Sequence, residues 1–127
     1  NFNVLKKHQN SILLVGNFDG LHLGHQKLFN LAKKYKKEKK TKLGVLTFDP
    51  IPKMFFNREL KNYKISNLHQ KVNYFSKYNV DFVIIKKFNK KFSKIKVFLF
   101  QNLLTIIRSN NFLFIIILQS NSTLLIF

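Results

Sequence analysis

The chain of 127 residues has no cysteine and no tryptophan, and only five acidic residues, four glycines and two prolines. Without cysteine there is no disulfide, no thiolate metal site and no cysteine nucleophile. That composition fits a reducing compartment, and a cytoplasmic location is expected. Long apolar runs are also lacking. The longest clean one, Phe112 to Leu118, falls far short of the roughly 20 residues a membrane span needs. Residues Asn1 to Asn10 are polar and basic with no apolar segment behind them, so they do not read as a signal peptide. The length suits one domain with a modest core.

What the chain has in excess is positive charge, a formal +18 from 23 basic residues. All of these except Arg58 and Arg108 are lysine, spread from Lys6 to Lys96, and arginine is the residue suited to bidentate readout of bases and phosphates. The chain is equally rich in Asn, Ile and Phe, which with Lys are the residues of A/T-rich codons. The charge therefore reads as compositional bias rather than as a nucleic-acid footprint, and neither nucleic acid nor a membrane is expected as a partner.

Taken in order, Ser11 to Val15 is a continuous apolar run suited to a strand covered on both faces. A helical pattern runs from Gln26 to Lys40, with Leu28, Leu31, Ala32 and Tyr35 inward, Phe29 beside them and lysines outward. Leu43 to Phe48 is a second strand, stopped by Asp49-Pro50-Ile51-Pro52 because proline cannot donate to a sheet ladder. Residues 53–65 read as a loop. Ser66 is the expected N-cap of a helix with inner stripe Leu68, Val72, Phe75 and Tyr78. Asp81 to Ile85 is a third strand, and Ile95, Leu99, Leu103 and Ile106 mark a third helix. Phe112 to Leu118 is expected as a fourth strand. The alternation predicts an α/β fold, a three-layer parallel sheet with right-handed crossovers, incomplete at the C-terminus because no helix covers Gln119 to Phe127.

Between the first strand and first helix lies Gly16-Asn17-Phe18-Asp19-Gly20-Leu21-His22-Leu23-Gly24-His25. Strand, glycine-punctuated turn and helix is the layout of a phosphate site at the carboxyl edge of a parallel sheet. Gly16 and Gly20 allow unusual backbone angles, Asp19 can accept backbone N–H bonds, and Gly24 leaves room for phosphate oxygens. His22 and His25, one helical turn apart, enter the first turn, where N–H groups lack partners and the helix dipole is positive. Such donors suit charge that develops on phosphate oxygens during in-line displacement at phosphorus. A zinc pair is the competing reading. It needs a third ligand, and Asp19 is the nearby candidate, so no metal site is assigned. His8 and His69 lack such a context and are expected to be exposed.

This block resembles the H-x-G-H signature of the nucleotidylyltransferase superfamily, and its Gly-Asn-Phe-Asp-Gly lead-in is similar to that of bacterial FAD synthetases. Leu46-Thr47-Phe48-Asp49-Pro50-Ile51-Pro52-Lys53-Met54-Phe55-Phe56 resembles the family's next segment. Ser66 to Tyr78, Val80 to Ile85 and the Phe88 to Ser93 loop are similar to those that follow, so the likeness covers about residues 11–97. It implies a Rossmann-like nucleotidylyltransferase fold and transfer of AMP from ATP to FMN, giving FAD and pyrophosphate, with Mg2+. It further implies that His22 and His25 stabilise ATP phosphates as the catalytic pair. Gly16, Asn17, Phe18, Asp19 and Gly24 would form the ATP pocket, and Pro50, Pro52, Phe55 and Phe56 the flavin-side loop, where Phe55 and Phe56 either pack on the ring or seal the loop onto the core.

Some features depart from the family. Ile51 stands where a polar residue is usual, and Leu118 to Thr123 does not match the family's Gly-x-Asp-Phe-x-Phe-Gly loop. A riboflavin kinase domain is not expected within these residues. Residues 98–127 have no lysine or acid and a single arginine, Arg108, to which no role carries over; they read as a divergent or frameshifted tail. The alternative functions are an inactive remnant of the same enzyme, another nucleotidylyltransferase, and a basic nucleic-acid-binding protein.

Overall fold

The computed structural model of the chain describes residues 5–20, 22–49, 54, 57, 59, 67–87, 89–90, 114–118 and 124–126, the last two spans through their backbone. Five strands form one sheet: β1 (Ile12–Val15), β2 (Leu43–Phe48), β3 (Phe82–Lys86), β4 (Phe114–Leu118) and β5 (Leu124–Ile126). Helices α1 (Leu23–Lys39) and α2 (Leu68–Lys77) link β1 to β2 and β2 to β3. The strand order is β3-β2-β1-β4-β5. β1 pairs in parallel with both β2 and β4, and β2 with β3. The expected fold class therefore holds through the fourth strand. β5 was not expected, and it joins β4 antiparallel, making the sheet mixed at that edge.

The core follows from strand alternation. Ile12 and Leu14 of β1 share a face with Leu43 and Val45 of β2, and against them pack Leu28, Phe29 and Ala32 of α1, Phe75 of α2 and Phe18 of the turn. Phe29 and Phe75 stack at 5.6 Å between centroids, which locks the two helices together over the strands. Leu13, Val15 and Leu46, on the opposite face, are equally buried, so the sheet is covered on both sides. The helix expected around Ile95–Ile106 and the loop carrying Phe88 and Phe92 lie outside the described residues, apart from Asn89 and Lys90.

Local boundaries differ from the sequence reading in instructive ways. α1 begins at Leu23 rather than near Gln26, because His22 caps it. α2 is capped by Asn67 rather than Ser66. Asn67 Oδ1 accepts from the Gln70 N–H at 2.8 Å and Gln70 Oε1 accepts from the Asn67 N–H at 2.9 Å, a reciprocal capping box. In the inner stripe of α2, Val72 is 40% exposed and Lys71 takes the buried position. His8 is half-buried rather than exposed: its ring stacks on Phe82 at 4.0 Å. Phe82 in turn lies over Gly44, where a Cβ would overlap its ring. His69 is exposed, as expected.

The amino-terminal edge of the sheet is held by one carboxylate. Asp81 Oδ2 accepts from the Leu43 N–H at 2.8 Å and pairs with Lys36 Nζ at 2.7 Å, and Lys36 also donates to the Asn79 carbonyl at 2.6 Å. Thus β2, β3 and the end of α1 meet at Asp81. Partial burial tends to raise its pKa. The bonds from Lys36 and Leu43 and the charges of Lys36 and Lys42 outweigh that effect and hold the pKa below the ordinary 3.8. The depressed value means the contribution is present above about pH 4 and lost as pH falls through the folded pKa. Asp81→Asn is expected to lower stability by about 1 kcal/mol at pH 7, because the pair is partly exposed and screened, and to lose that deficit progressively as pH falls below about 4. Urea unfolding across this pH range measures it.

Candidate active site

The turn from β1 into α1 is built from the strand outward. The Gly16 N–H closes the ladder on the Leu46 carbonyl at 3.0 Å. Two residues on, Phe18 has φ 48°, and Gly20 has φ 62°. The left-handed positions of the turn are therefore Phe18 and Gly20, not Gly16. For Phe18 this conformation is strained and must be enforced by its surroundings. The enforcement is packing: the Phe18 ring is 2% exposed, set edge-on to Phe29 at 5.1 Å and to Phe75 at 5.8 Å. Phe18 is thus a core residue that anchors the turn from below and reaches the site through its edge-on contact with His25 at 5.4 Å.

His22 is exposed at the N-cap of α1, and its Nδ1 accepts from the Gly24 N–H at 3.1 Å. One orphan donor of the first turn is therefore met by an imidazole, where serine or aspartate is usual. This explains Gly24. A Cβ there would lie 3.1 Å from His22 Cε1 and 3.2 Å from Nδ1, so the glycine makes way for the His22 ring. Because Nδ1 accepts this bond, the uncharged form of the His22 ring carries its proton on Nε2.

His25 stacks on His22 with centroids 3.7 Å apart and planes inclined by 23°. Burial, and then the neighbouring His22, lower its pKa to about 4, while a backbone hydrogen bond with Gly20 and the carboxylate of Asp19 act the other way. At neutral pH His25 is an uncharged imidazole, because burial disfavours the charged ring. Its Nδ1 is buried without a hydrogen-bond partner among the described residues, an unsatisfied group of a kind concentrated at functional sites. Gly16, Asn17, Phe18, Asp19, Gly24 and the two histidines are therefore gathered at one end of the sheet, beyond the carboxyl end of β1. Pro50, Pro52, Phe55 and Phe56 lie outside the described residues. Among the described residues no group of three His, Cys, Asp or Glu side chains is placed to hold a metal ion. No helix among them is long and apolar enough to cross a membrane.

Two residues at the site escaped the sequence reading. The Asn17 carbonyl accepts from Thr47 Oγ1 at 3.1 Å and from Lys71 Nζ at 2.6 Å, and both side chains are buried. Neither has a local signal: Thr47 sits in an apolar strand, and Lys71 is one lysine among many. An oddity was visible, since Lys71 falls between Leu68 and Phe75 at inward helical spacing.

A strand–turn–helix junction next to β1, where the strand order reverses between β2 and β4, is the arrangement of nucleotide-binding doubly wound α/β proteins. Within that class the chain belongs to the FAD synthetase family, whose sequence model matches residues 4–117. That range runs past both ends of the stretch on which the motifs carry the likeness. The chain is 36% identical over 93 residues to the bifunctional riboflavin kinase/FMN adenylyltransferase of Buchnera aphidicola subsp. Acyrthosiphon pisum, covering 73% of this chain and 30% of that protein. It is 34% identical over 86 residues to the protein of the same name from Haemophilus influenzae, covering 68% and 28%. The chain thus spans about 30% of the length of the curated relatives it matches. A solved structure described as a macrolide-efflux protein from Streptococcus pneumoniae superposes with a TM-score of 0.66 at 24% identity, over 86% of this chain and 42% of that one. That likeness speaks to the fold alone.

The lowered pKa of His25 sets a pH dependence of stability. The unfolded chain takes up the proton near pH 6.5 and the folded one near 4, so stability is full above about 6.5 and falls as pH drops through that window. The loss is expected to be on the order of 2 kcal/mol, allowing for partial exposure. His25→Gln removes this component. The difference in unfolding free energy between wild type and variant, followed by denaturant titration from pH 7 to pH 4, should change by that amount; a constant difference contradicts the assignment.

Proposed function

We propose that the chain transfers the AMP moiety of ATP to FMN, yielding FAD and pyrophosphate. The observation that carries this reading is the stacked pair of His22 and His25 on the first turn of α1, at the point where the strand order reverses. In the reaction a phosphate oxygen of FMN attacks the α-phosphorus of ATP, a new P–O bond forms, and the bond to the bridging oxygen of pyrophosphate breaks. No covalent intermediate on the protein is needed, so positioning and electrostatics do the work. His22 donates to phosphate oxygens on which charge grows, and His25 does so once ATP binding protonates its Nδ1, both aided by the positive end of the α1 dipole.

Each other residue then has a role consistent with its place. Gly16, Asn17 and Asp19 shape the nucleotide-facing turn, Phe18 supports it from the core, and Gly24 admits the His22 ring. Pro50, Pro52, Phe55 and Phe56 are assigned to the flavin side on family likeness. Mg2+ enters with ATP, held by the triphosphate, because two imidazoles are poor ligands for a hard cation that prefers oxygen. ATP and FMN are the partners, in place of nucleic acid or membrane, and a cytoplasmic setting suits a cysteine-free chain that draws on both. The riboflavin kinase activity in the relatives' names is not assigned to these residues.

Purified chain incubated with ATP, Mg2+ and FMN is expected to form FAD and pyrophosphate. His22→Ala and His25→Ala should each cut turnover on the order of a hundredfold or more. Turnover unchanged by both substitutions would remove the mechanism, and a folded chain that neither binds ATP nor turns over would mark an inactive remnant. A second outcome follows from the neutral His25. Bound phosphates raise its pKa above the apo value of about 4, so ATP binding takes up a proton and tightens as pH falls towards that value. Calorimetry in two buffers of different ionisation heat reads the proton directly; zero uptake at pH 5 contradicts contact between His25 and phosphate.

A further inference from the structure

Lys71 is 3% exposed, on α2, a helix that contributes none of the site's motif residues. An ammonium group withdrawn from water is expensive unless hydrogen-bonded, and a methionine would fill the same inward position without that cost. The Lys71 Nζ donates to the Asn17 carbonyl at 2.6 Å, across 54 residues of sequence. Thr47 Oγ1, from β2, donates to the same oxygen at 3.1 Å. A carbonyl has two lone pairs, and these two donors engage both. Since the peptide unit is planar, fixing its oxygen from two directions fixes the whole Asn17–Phe18 plane.

That plane leads straight into Phe18, a non-glycine residue in left-handed conformation, whose ring packs edge-on to His25. A strained dihedral persists only where its surroundings over-determine it. Here the ring is held from one side by Phe29 and Phe75, and the backbone from the other by the clamped carbonyl. We infer that Lys71 is a positioning residue for the His22–His25 site. With Thr47 it clamps the Asn17 carbonyl and so holds the β1–α1 turn in the conformation that seats Phe18 against His25. The clamp ties the turn to β2 and α2, beyond the Gly16–Leu46 ladder bond and the packing of Phe18 on Phe75. The consequence for nucleotide affinity rests on the function proposed above; the consequence for the turn does not.

The test uses the full chain, with Lys71→Met preserving the apolar stem and Thr47→Val preserving shape while removing the other donor. Without nucleotide, Lys71→Met is expected to speed amide exchange at Gly16 about tenfold and to abolish nuclear Overhauser contacts between the Phe18 and His25 rings. Amides within β2 should stay within about twofold of wild type. Thr47→Val should give the same local pattern more weakly, and it decides the matter alone if Lys71→Met does not fold. Unchanged exchange at Gly16 with the ring contacts intact overturns the inference. So does loss of protection spreading equally through β2, which would make Lys71 a general packing residue. In the second arm, the ATP dissociation constant should rise about tenfold in Lys71→Met with both histidines present. A wild-type chain that binds no ATP sinks the functional reading while the exchange arm still decides the clamp.

Discussion

The edge-on contact of Phe18 with His25 is the interaction on which the site depends, because Phe18 is where core and chemistry meet. Its ring touches α1 through Phe29, α2 through Phe75 and the site through His25, at centroid distances between 5.1 and 5.8 Å. A buried aromatic of this size contributes a few kcal/mol of packing, enough to hold one residue in a conformation that costs roughly 1–2 kcal/mol. The strain is thus supported by the same apolar cluster that joins both helices to the sheet. Rigidity in the turn is a by-product of folding, which is what an electrostatic site needs if its donors are not to reorganise during reaction.

The electrostatic character of the site follows from the same packing. Pressing His25 against Phe18 and under His22 removes water from its ring, and the pKa falls to about 4. A chain carrying +18 then keeps at least one histidine of this turn uncharged. On the function proposed, attraction for phosphate rests on oriented N–H groups and the helix terminus more than on the diffuse lysine charge, and is less sensitive to salt than a lysine patch would be. Among the lysines of α1, Lys36 is drawn inward, to Asp81 at the far end of the sheet. The histidine pair and the fold-locking charge are thereby separated along the strand axis.

What was legible in the sequence is what short-range physics dictates. Apolar runs of strand length, the helical stripe of Leu28 and Ala32, and the glycine-punctuated turn before two histidines all constrain the chain within a few residues, and the structure places them together. The role of Gly24 was half legible: the need for space was clear, but the occupant is the His22 ring. Other features were not legible because their cause is tertiary. Asn67 outcompetes Ser66 as the cap because Gln70 is in reach to complete a capping box. His8 is half-buried because Phe82 is available to stack on, and Phe82 is available because Gly44 clears its place.

Lys71 marks the limit most clearly, and it shows how such cases can be read. Helical spacing puts position 71 inward with Leu68 and Phe75, so the pattern alone asks for an apolar residue there. In a chain so rich in lysine, the exception is easily assigned to the solvent face and Val72 to the core, the reverse of what the structure shows. A charged residue at an inward position is tolerated only where a specific acceptor awaits it. The acceptor was therefore deducible in kind if not in identity: a backbone carbonyl that the adjoining sheet leaves unmatched. In a parallel α/β sheet such carbonyls occur where a strand leaves the ladder to enter its turn, and that is also where these folds bind their ligands. An inward lysine on a neighbouring helix thus points towards the site before any coordinate is known, and Asn17, the first residue past the last ladder bond of β1, is where it arrives.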